Sequence, residues 1–280
     1  MHAQVGVSSG IEVSTSSIIA GGKRIFVWVA GSGPPLLLLH SMTTSSLVWR
    51  QIIPPLSNQH TVIVPDLLGF GDSEKSHDCD FSIPAQARII DELCKQLGFK
   101  SISIVAHDLG AGVAMYLMHV NPELVEAFIT LNTSNSEHWL IPPMKRIRDC
   151  DDESLQEKVE KLFFLGMKRA LHRDTLIDDN VLQAYFKPFA GKAGALHFQR
   201  IVRSLKPEHL REAEVALNGK AVKTLILWGL EDQNLSVTIA EGIAKLLPQS
   251  ELRLIESAGH FPQEDNPQFV VRAVQSFLGD

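Results

Sequence analysis

Cysteine is nearly absent from this chain. Cys79, Cys94 and Cys150 are the three it has among 280 residues. They form an odd number at wide spacings with no C-x-x-C, which excludes a disulfide framework and a thiolate metal site as organising features. Long apolar runs are missing too, since no stretch approaches the roughly 20 residues that span a bilayer. The opening MHAQVGVSSG has neither the basic nor the apolar region of a secretory leader, so a cytoplasmic protein is the expectation. No basic stripe stands out along the chain, and the net charge is −6; nothing in the linear sequence offers to neutralise phosphates, and neither nucleic acid nor a membrane is an expected partner. Tyrosine occurs only twice, at Tyr116 and Tyr185, and that scarcity bears on the chemistry below.

What is present is the composition of a globular protein, 45% hydrophobic and 21% charged, in a chain long enough for one large α/β domain with an insertion. Strand-like runs recur in KRIFVWVAG, PPLLLLH, HTVIVPD, SISIVAH, VEAFITLN, KTLILWG and ELRLIES. Most of the later ones are continuously apolar, as strands covered on both faces are. Helical patterns fall at about 45–56, 82–97, 110–120, 236–247 and 266–278. This alternation predicts an α/β fold with a mostly parallel, doubly wound sheet. Between residues 134 and 215 the strands stop and amphipathic helices take over, as in DESLQEKVEKLFFLGMKRAL. The expected organisation is a core of residues 1–133 and 216–280 with an inserted helical cap, 134–215, over the carboxyl ends of the strands.

The densest chemical signal is SISIVAHDLGAGVAM, residues 101–115. A buried strand ends at His107-Asp108 and a helix begins at once, with Ala106 and Gly110 two positions either side of the aspartate. That is the pattern of a nucleophile elbow, in which a strained turn displays the reacting side chain and small neighbours relieve crowding. A dinucleotide fingerprint fits poorly, because Met115 stands at the third glycine position and no acid ends the next strand. Metal ligation fits poorly as well, since neighbours on a strand point opposite ways. Simple capping of the helix by Asp108 remains an even alternative on this stretch alone.

Two later segments weigh against simple capping. LILWGLEDQNLSV puts Asp232 just past one apolar strand, and LRLIESAGHFPQEDNP puts His260 just past the next. The order Asp108, Asp232, His260 is nucleophile, acid, base. Over essentially its whole length the sequence resembles the α/β-hydrolase superfamily, and within it the aspartate-nucleophile branch of epoxide hydrolases, haloalkane dehalogenases and fluoroacetate dehalogenases. The matching segments are LLLLHSM, VPDLLGFGDSEK, VAHDLGAG, WGLEDQN and SAGHFPQEDNP, while TSSLVWRQIIPPL is dehalogenase-like and AYFKPF resembles a cap segment of those enzymes.

The resemblance implies that Asp108 attacks a substrate carbon to give an alkyl ester, which water activated by His260, held by Asp232, then hydrolyses. By position, the backbone N–H groups of Met42 and Leu109 would hold the oxyanion. The side chains of Leu109 and Met42 offer no N–H where such dehalogenases carry halide donors, so a halide would fall to Trp139 or His138 in NSEHWL. Epoxide hydrolases protonate the departing oxygen with cap tyrosines, which leaves Tyr185 as the acid here. Epoxide opening of a small, largely apolar substrate therefore leads, dehalogenation of a haloalkane or haloacid follows, and ester hydrolysis or a non-hydrolytic ligand-binding member are the further alternatives. Cap residues Trp139, Phe163, Phe164, Phe186, Phe189 and Phe198 suggest an apolar pocket lining, with several of them expected simply to glue the cap helices together. His40 and His107 read as turn-holding imidazoles and GFGDS as a structural turn. The expected partners are a small-molecule substrate and water, with no cofactor and no metal, in a monomer or homodimer.

Overall fold

The computed structural model describes residues 13–279; the opening segment read above as lacking a leader lies outside them. Eight strands form one sheet: β1 (Val13–Ala20), β2 (Lys23–Ala30), β3 (Pro35–Leu39), β4 (Thr61–Pro65), β5 (Ile102–His107), β6 (Val125–Leu131), β7 (Lys223–Gly229) and β8 (Ser250–Ile255). Their order is β1-β2-β4-β3-β5-β6-β7-β8. The first two run antiparallel to their neighbours, and every pair from β4 to β8 is parallel. β5 is buried at every position, Ser103 and His107 included, as a mostly apolar strand is when both faces are covered by helices.

The chain runs from β3 to β4 on one side and then crosses to β5 on the other. The loops after β3 and β5 therefore diverge and leave a crevice at the carboxyl ends of those strands, the place where open α/β sheets bind ligands. β1 escaped the sequence reading because VSTSSIIA is polar and mostly exposed, an edge strand held by pairing to β2 rather than by burial. The helical pattern read at 45–56 resolves into a 3₁₀ turn, Ser46–Trp49, and the short α1 (Ile53–Leu56). Pro54 and Pro55 lack the N–H that a helix running through them would need.

The covering helices are α2 (Ile83–Gln96) and α3 (Leu109–Val120) in the first half and α10 (Val237–Leu246), α11 (Pro262–Asp265) and α12 (Pro267–Leu278) at the end. Between β6 and β7 lie only helices: α4 (Pro142–Arg148), α5 (Leu155–Lys161), α6 (Met167–Ala170), α7 (Asp179–Phe186), α8 (Gly191–Ser204) and α9 (Pro207–Leu217). A π turn, Leu162–Gly166, joins α5 to α6. α8 packs on α4 and α5, whereas α9 packs along α3. α9 thus lies in the helical layer against the sheet, and residue 215 falls inside it rather than at a break in packing. Among the described residues no helix is long and apolar enough to cross a membrane, and all three cysteines are free and buried.

Candidate active site

Five adjacent elements deliver one side chain or backbone group each to the crevice. Asp108 occupies the turn between β5 and α3 with φ 49° and ψ −112°, a conformation that costs a non-glycine residue on the order of 1–3 kcal/mol and persists only where the surroundings impose it. Its neighbours do so. A Cβ on Gly110 would lie 2.5 Å from the Leu39 carbonyl oxygen and 2.7 Å from that of His40, so only glycine lets α3 start this close to β3. The Thr133 hydroxyl donates to the Asp108 carbonyl at 3.1 Å.

Met42, just past β3, donates its backbone N–H to Asp108 Oδ2 at 3.3 Å. Leu109 is the first residue of α3, and the N–H groups of a helix's first turn have no partner within the helix. Two main-chain donors thus flank the carboxylate, the positions expected of an oxyanion hole. Met42 and Leu109 also share with Asp108, Ser134 and Trp139 a small adjoining pocket of about 30 Å³.

Asp232 follows β7 and His260 follows β8. His260 Nδ1 stands 2.8 Å from Asp232 Oδ2, and the two side chains are 9% and 1% exposed. Asp232 Oδ1 accepts from the N–H groups of Asn234 at 2.7 Å and Leu235 at 3.1 Å. Burial works against charge on the imidazole, but the Asp232 carboxylate, acting through space and through the hydrogen bond, and Asp108 more weakly, outweigh it and raise the His260 pKa above its ordinary 6.5. For Asp232 burial pushes the other way from its partners; His260, Asn132 and the Asn234 N–H prevail and hold the carboxyl below its usual range. With Nδ1–H committed to Asp232, Nε2 is the nitrogen left to exchange protons.

Asn132 was not singled out from the sequence. It ends β6 with φ 28°, is fully buried, donates Nδ2–H to Asp232 Oδ2 at 2.8 Å and accepts from the Gly229 N–H at 2.9 Å. It pins the acid and the end of β7 together. The available signal was an asparagine, tolerant of left-handed backbone, directly after a buried strand.

The loop carrying His260 is held by its own main chain. Its N–H donates to the Ala170 carbonyl at 2.7 Å, and its carbonyl accepts from His107 Nε2 at 2.8 Å. His107 Nδ1 in turn faces the Gln263 amide at 2.9 Å, and burial drives the pKa of this imidazole far down, so it stays neutral. His40 holds the β3 turn, donating Nδ1–H to the Ser41 carbonyl and accepting the Leu67 N–H on Nε2. In GFGDS a Cβ on Gly71 would overlap the Asp66 carboxylate, which accepts the Ser46 and Asp72 N–H groups.

Asp108 and His260 both line a cavity of about 90 Å³. Its walls are mostly apolar, with Met42, Leu140, Met144, Leu162, Met167 and Leu235 among them; His138, Trp139, Ser134 and Asn234 supply polar groups. Among the described residues the Trp139 indole N–H has no hydrogen-bond partner. Tyr185 is not in this wall, which corrects the expectation that it faces the site. Its hydroxyl, 1% exposed, donates to Glu264 Oε1 at 3.1 Å, and Glu264 is also gripped by both guanidinium nitrogens of Arg50 at 2.6 and 2.8 Å. The phenol is committed to a buried ion pair instead. Tyr116 is half-buried and donates to Glu212 on α9. A second correction concerns the cap aromatics: Phe163, Phe186, Phe189 and Phe198 pack on one another with ring centroids 4.9–5.5 Å apart, and Phe164 packs on Phe186. They bind the cap helices together, and of the six named residues only Trp139 reaches the cavity.

Comparison with known proteins agrees with this architecture. Residues 34–267 match the sequence model of the alpha/beta hydrolase fold family. The soluble epoxide hydrolase of Corynebacterium sp. (strain C12) is 27% identical over 294 aligned residues, covering 95% of this chain and 98% of that protein. Haloalkane dehalogenase 2 of Mycobacterium bovis is 27% identical over 274, covering 91% and 92%. The crystal structure of an alpha/beta hydrolase fold protein from Burkholderia ambifaria superposes with a TM-score of 0.85 at 25% identity, over 93% of this chain and 97% of that one. A strained acidic elbow at the sheet's crossover, an imidazole braced by a buried acid, and a family match spanning most of the length lead to one assignment: the chain belongs to the alpha/beta hydrolase fold family, and it is a hydrolase.

Proposed function

We propose that this hydrolase acts through a covalent alkyl ester on Asp108, formed with an electrophile whose reacting end is small and apolar. The observation that carries the reading is Asp108 itself, held in a left-handed turn at the wall of the cavity that His260 also lines. Because Oδ2 already accepts the Met42 N–H, Oδ1 is the free attacking atom. It displaces the leaving group from carbon, and Oδ2 becomes the ester carbonyl oxygen. His260 Nε2 then takes a proton from water as the hydroxide adds to the carbonyl carbon, and the resulting oxyanion on Oδ2 is met by the Met42 and Leu109 N–H groups. Collapse expels the alkoxide, which recovers the proton from His260 and leaves Asp108 as the carboxylic acid; its proton passes to the freed His260 and on to solvent, and the carboxylate is regenerated. A general base of this kind contributes about 10² to 10⁴ in rate.

Halide is the leaving group that suits this cavity best. A halide departs without a proton, and Trp139, whose indole N–H has no hydrogen-bond partner among the described residues, is in the wall together with His138. The preference for an epoxide rested on Tyr185, whose hydroxyl is engaged by Glu264. Epoxide opening stands as the second reading because a soluble epoxide hydrolase is among the relatives; His138 would then be the proton donor to the opened oxygen.

Intact-mass spectrometry of the His260→Gln variant, incubated with short bromoalkanes and the corresponding terminal epoxides, tests both. A halide substrate leaves an added alkyl group and an epoxide leaves its whole mass, oxygen included. The expected result is an alkyl adduct that accumulates in His260→Gln and is absent from Asp108→Asn. A folded His260→Gln protein that takes no adduct from either panel, alongside a wild type without turnover, would overturn the proposal.

A further inference from the structure

The inner cavity, at about 90 Å³, is well below the roughly 300 Å³ at which small-molecule pockets begin. It has room for the reacting end of a substrate and little more. Beside it, on the cap, lies a groove of about 350 Å³. Pro143, Leu162 and Gly166 belong to the walls of both, so the two spaces adjoin. The shared edge is the π turn Leu162–Gly166, a rare element that recurs at functional sites; Gly166 presents no side chain there, and a Cβ on it would approach Leu162 Cδ1 at 3.2 Å.

The groove has a single sign of charge. Arg146 from α4, Lys158 and Lys161 from α5 and Arg169 from α6 line it, with Leu165, and no acidic residue does, although the chain as a whole carries −6. Two of the four cations are occupied: Lys158 donates to Ser154 Oγ at 2.6 Å and to Cys150 Sγ at 3.1 Å, and Lys161 pairs with Glu157 at 2.5 Å. Arg146 and Arg169 are exposed and, among the described residues, have no hydrogen-bond or ion-pair partner. Two unpaired guanidiniums lining one groove, with the apolar Leu165 also in its walls and an apolar cavity adjoining, match a molecule with an anionic head and an aliphatic body.

We propose that the substrate is an amphiphilic organic anion, an aliphatic carboxylate whose head is held by Arg146 and Arg169 in the cap groove while its electrophilic carbon reaches past the π turn to Asp108. The proposal rests on the alkyl-ester reading for its chemistry and on the groove alone for its binding. The two are separated by measuring binding without turnover.

Titration calorimetry on the full-length Asp108→Asn protein uses hexanoate and the uncharged hexanamide as probes. Hexanoate is expected to bind saturably and at least tenfold more tightly than hexanamide. That preference is expected to vanish in Asp108→Asn carrying Arg146→Gln and Arg169→Gln, both at exposed positions, and to weaken as salt is raised and screening grows. Equal binding of the two probes, or hexanoate binding indifferent to the arginine pair, overturns the groove assignment even where catalysis is intact. In the wild type, 6-bromohexanoate is expected to show a KM at least tenfold below that of 6-bromohexanamide, and the arginine substitutions are expected to raise the anion's KM while leaving kcat and the amide's kinetics in place. Arginine-dependent hexanoate binding with no turnover of any probe supports the groove and removes the alkyl-ester reading instead.

Discussion

Replacing Tyr185 with phenylalanine separates two roles that one side chain could play. The phenol is 1% exposed and donates to a carboxylate, Glu264, that is itself 3% exposed at the side chain, with the Arg50 guanidinium also beside the hydroxyl. A hydrogen bond to a charged group is worth about 1.5–3 kcal/mol. Glu264 keeps both contacts from Arg50 when the hydroxyl is removed, so the loss is expected near the lower end, about 1.5–2 kcal/mol. At about 2–4 °C per kcal/mol for a chain of this size class, the melting temperature is expected to fall by about 3–8 °C. Turnover at assay temperatures well below the transition is expected to change little, because the hydroxyl is outside the cavity wall. Thermal unfolding followed by circular dichroism, paired with steady-state kinetics on the best bromoalkane or epoxide, reads both quantities. A variant with an unchanged melting temperature and a rate lowered by about 10² to 10⁴, the contribution of a general acid, would refute the reasoning and restore Tyr185 to the chemistry.

Two further predictions concern the base and its support. The raised pKa of His260 means that it keeps its proton above the ordinary 6.5; since the neutral form is needed to activate water, kcat is expected to fall on the acid side with a midpoint above 6.5, and the alkyl ester to accumulate there in intact-mass spectra. By the same sign, the stability contributed by this folded-state proton is complete below 6.5 and is lost as pH rises through the folded value, which denaturation curves at several pH values measure. Asn132→Ala removes a donor from buried Asp232 Oδ2, and at about 1.5–3 kcal/mol for a hydrogen bond to a charged group kcat is expected to drop by about 10- to 100-fold with KM little changed; an unaffected kcat would show that Asp232 needs no second brace.

Much of the catalytic core was legible because its signals are local. An elbow announces itself within a few residues, since β5 must be buried throughout, Asp108 must stand at its tip and Gly110 must yield space to the Leu39 carbonyl. Asp232 and His260 could be read as a pair because each lies within a few residues of the end of a strand, and parallel strands in one sheet put their carboxyl ends side by side. What escaped depends on how helices pack. Whether Tyr185 faces substrate or an ion pair is decided by the rotation of α7 against a loop 79 residues away, and the phenylalanines of the cap found one another rather than the cavity. The basic groove was invisible for the same reason: Arg146 and Arg169 are far apart in sequence, with acids between them that the groove lining leaves out, and only the packing of α4 on α5 brings both arginines to one groove. β1 was lost for the opposite cause, because an edge strand need not be apolar.

The bond from the His260 amide to the carbonyl of Ala170, the last residue of α6, couples any movement of that helix to the loop that carries the imidazole. Peeling α6 away from the sheet would tug on the very peptide unit that sets where the imidazole points, and Asp265, which accepts the His172 N–H just beyond α6 and the Gly259 N–H just before the base, would be dragged along. On the alkyl-ester reading, molecules that come and go by a route sparing this seam leave the imidazole aimed, whereas those that must force it would meet an enzyme momentarily unable to hydrolyse its ester.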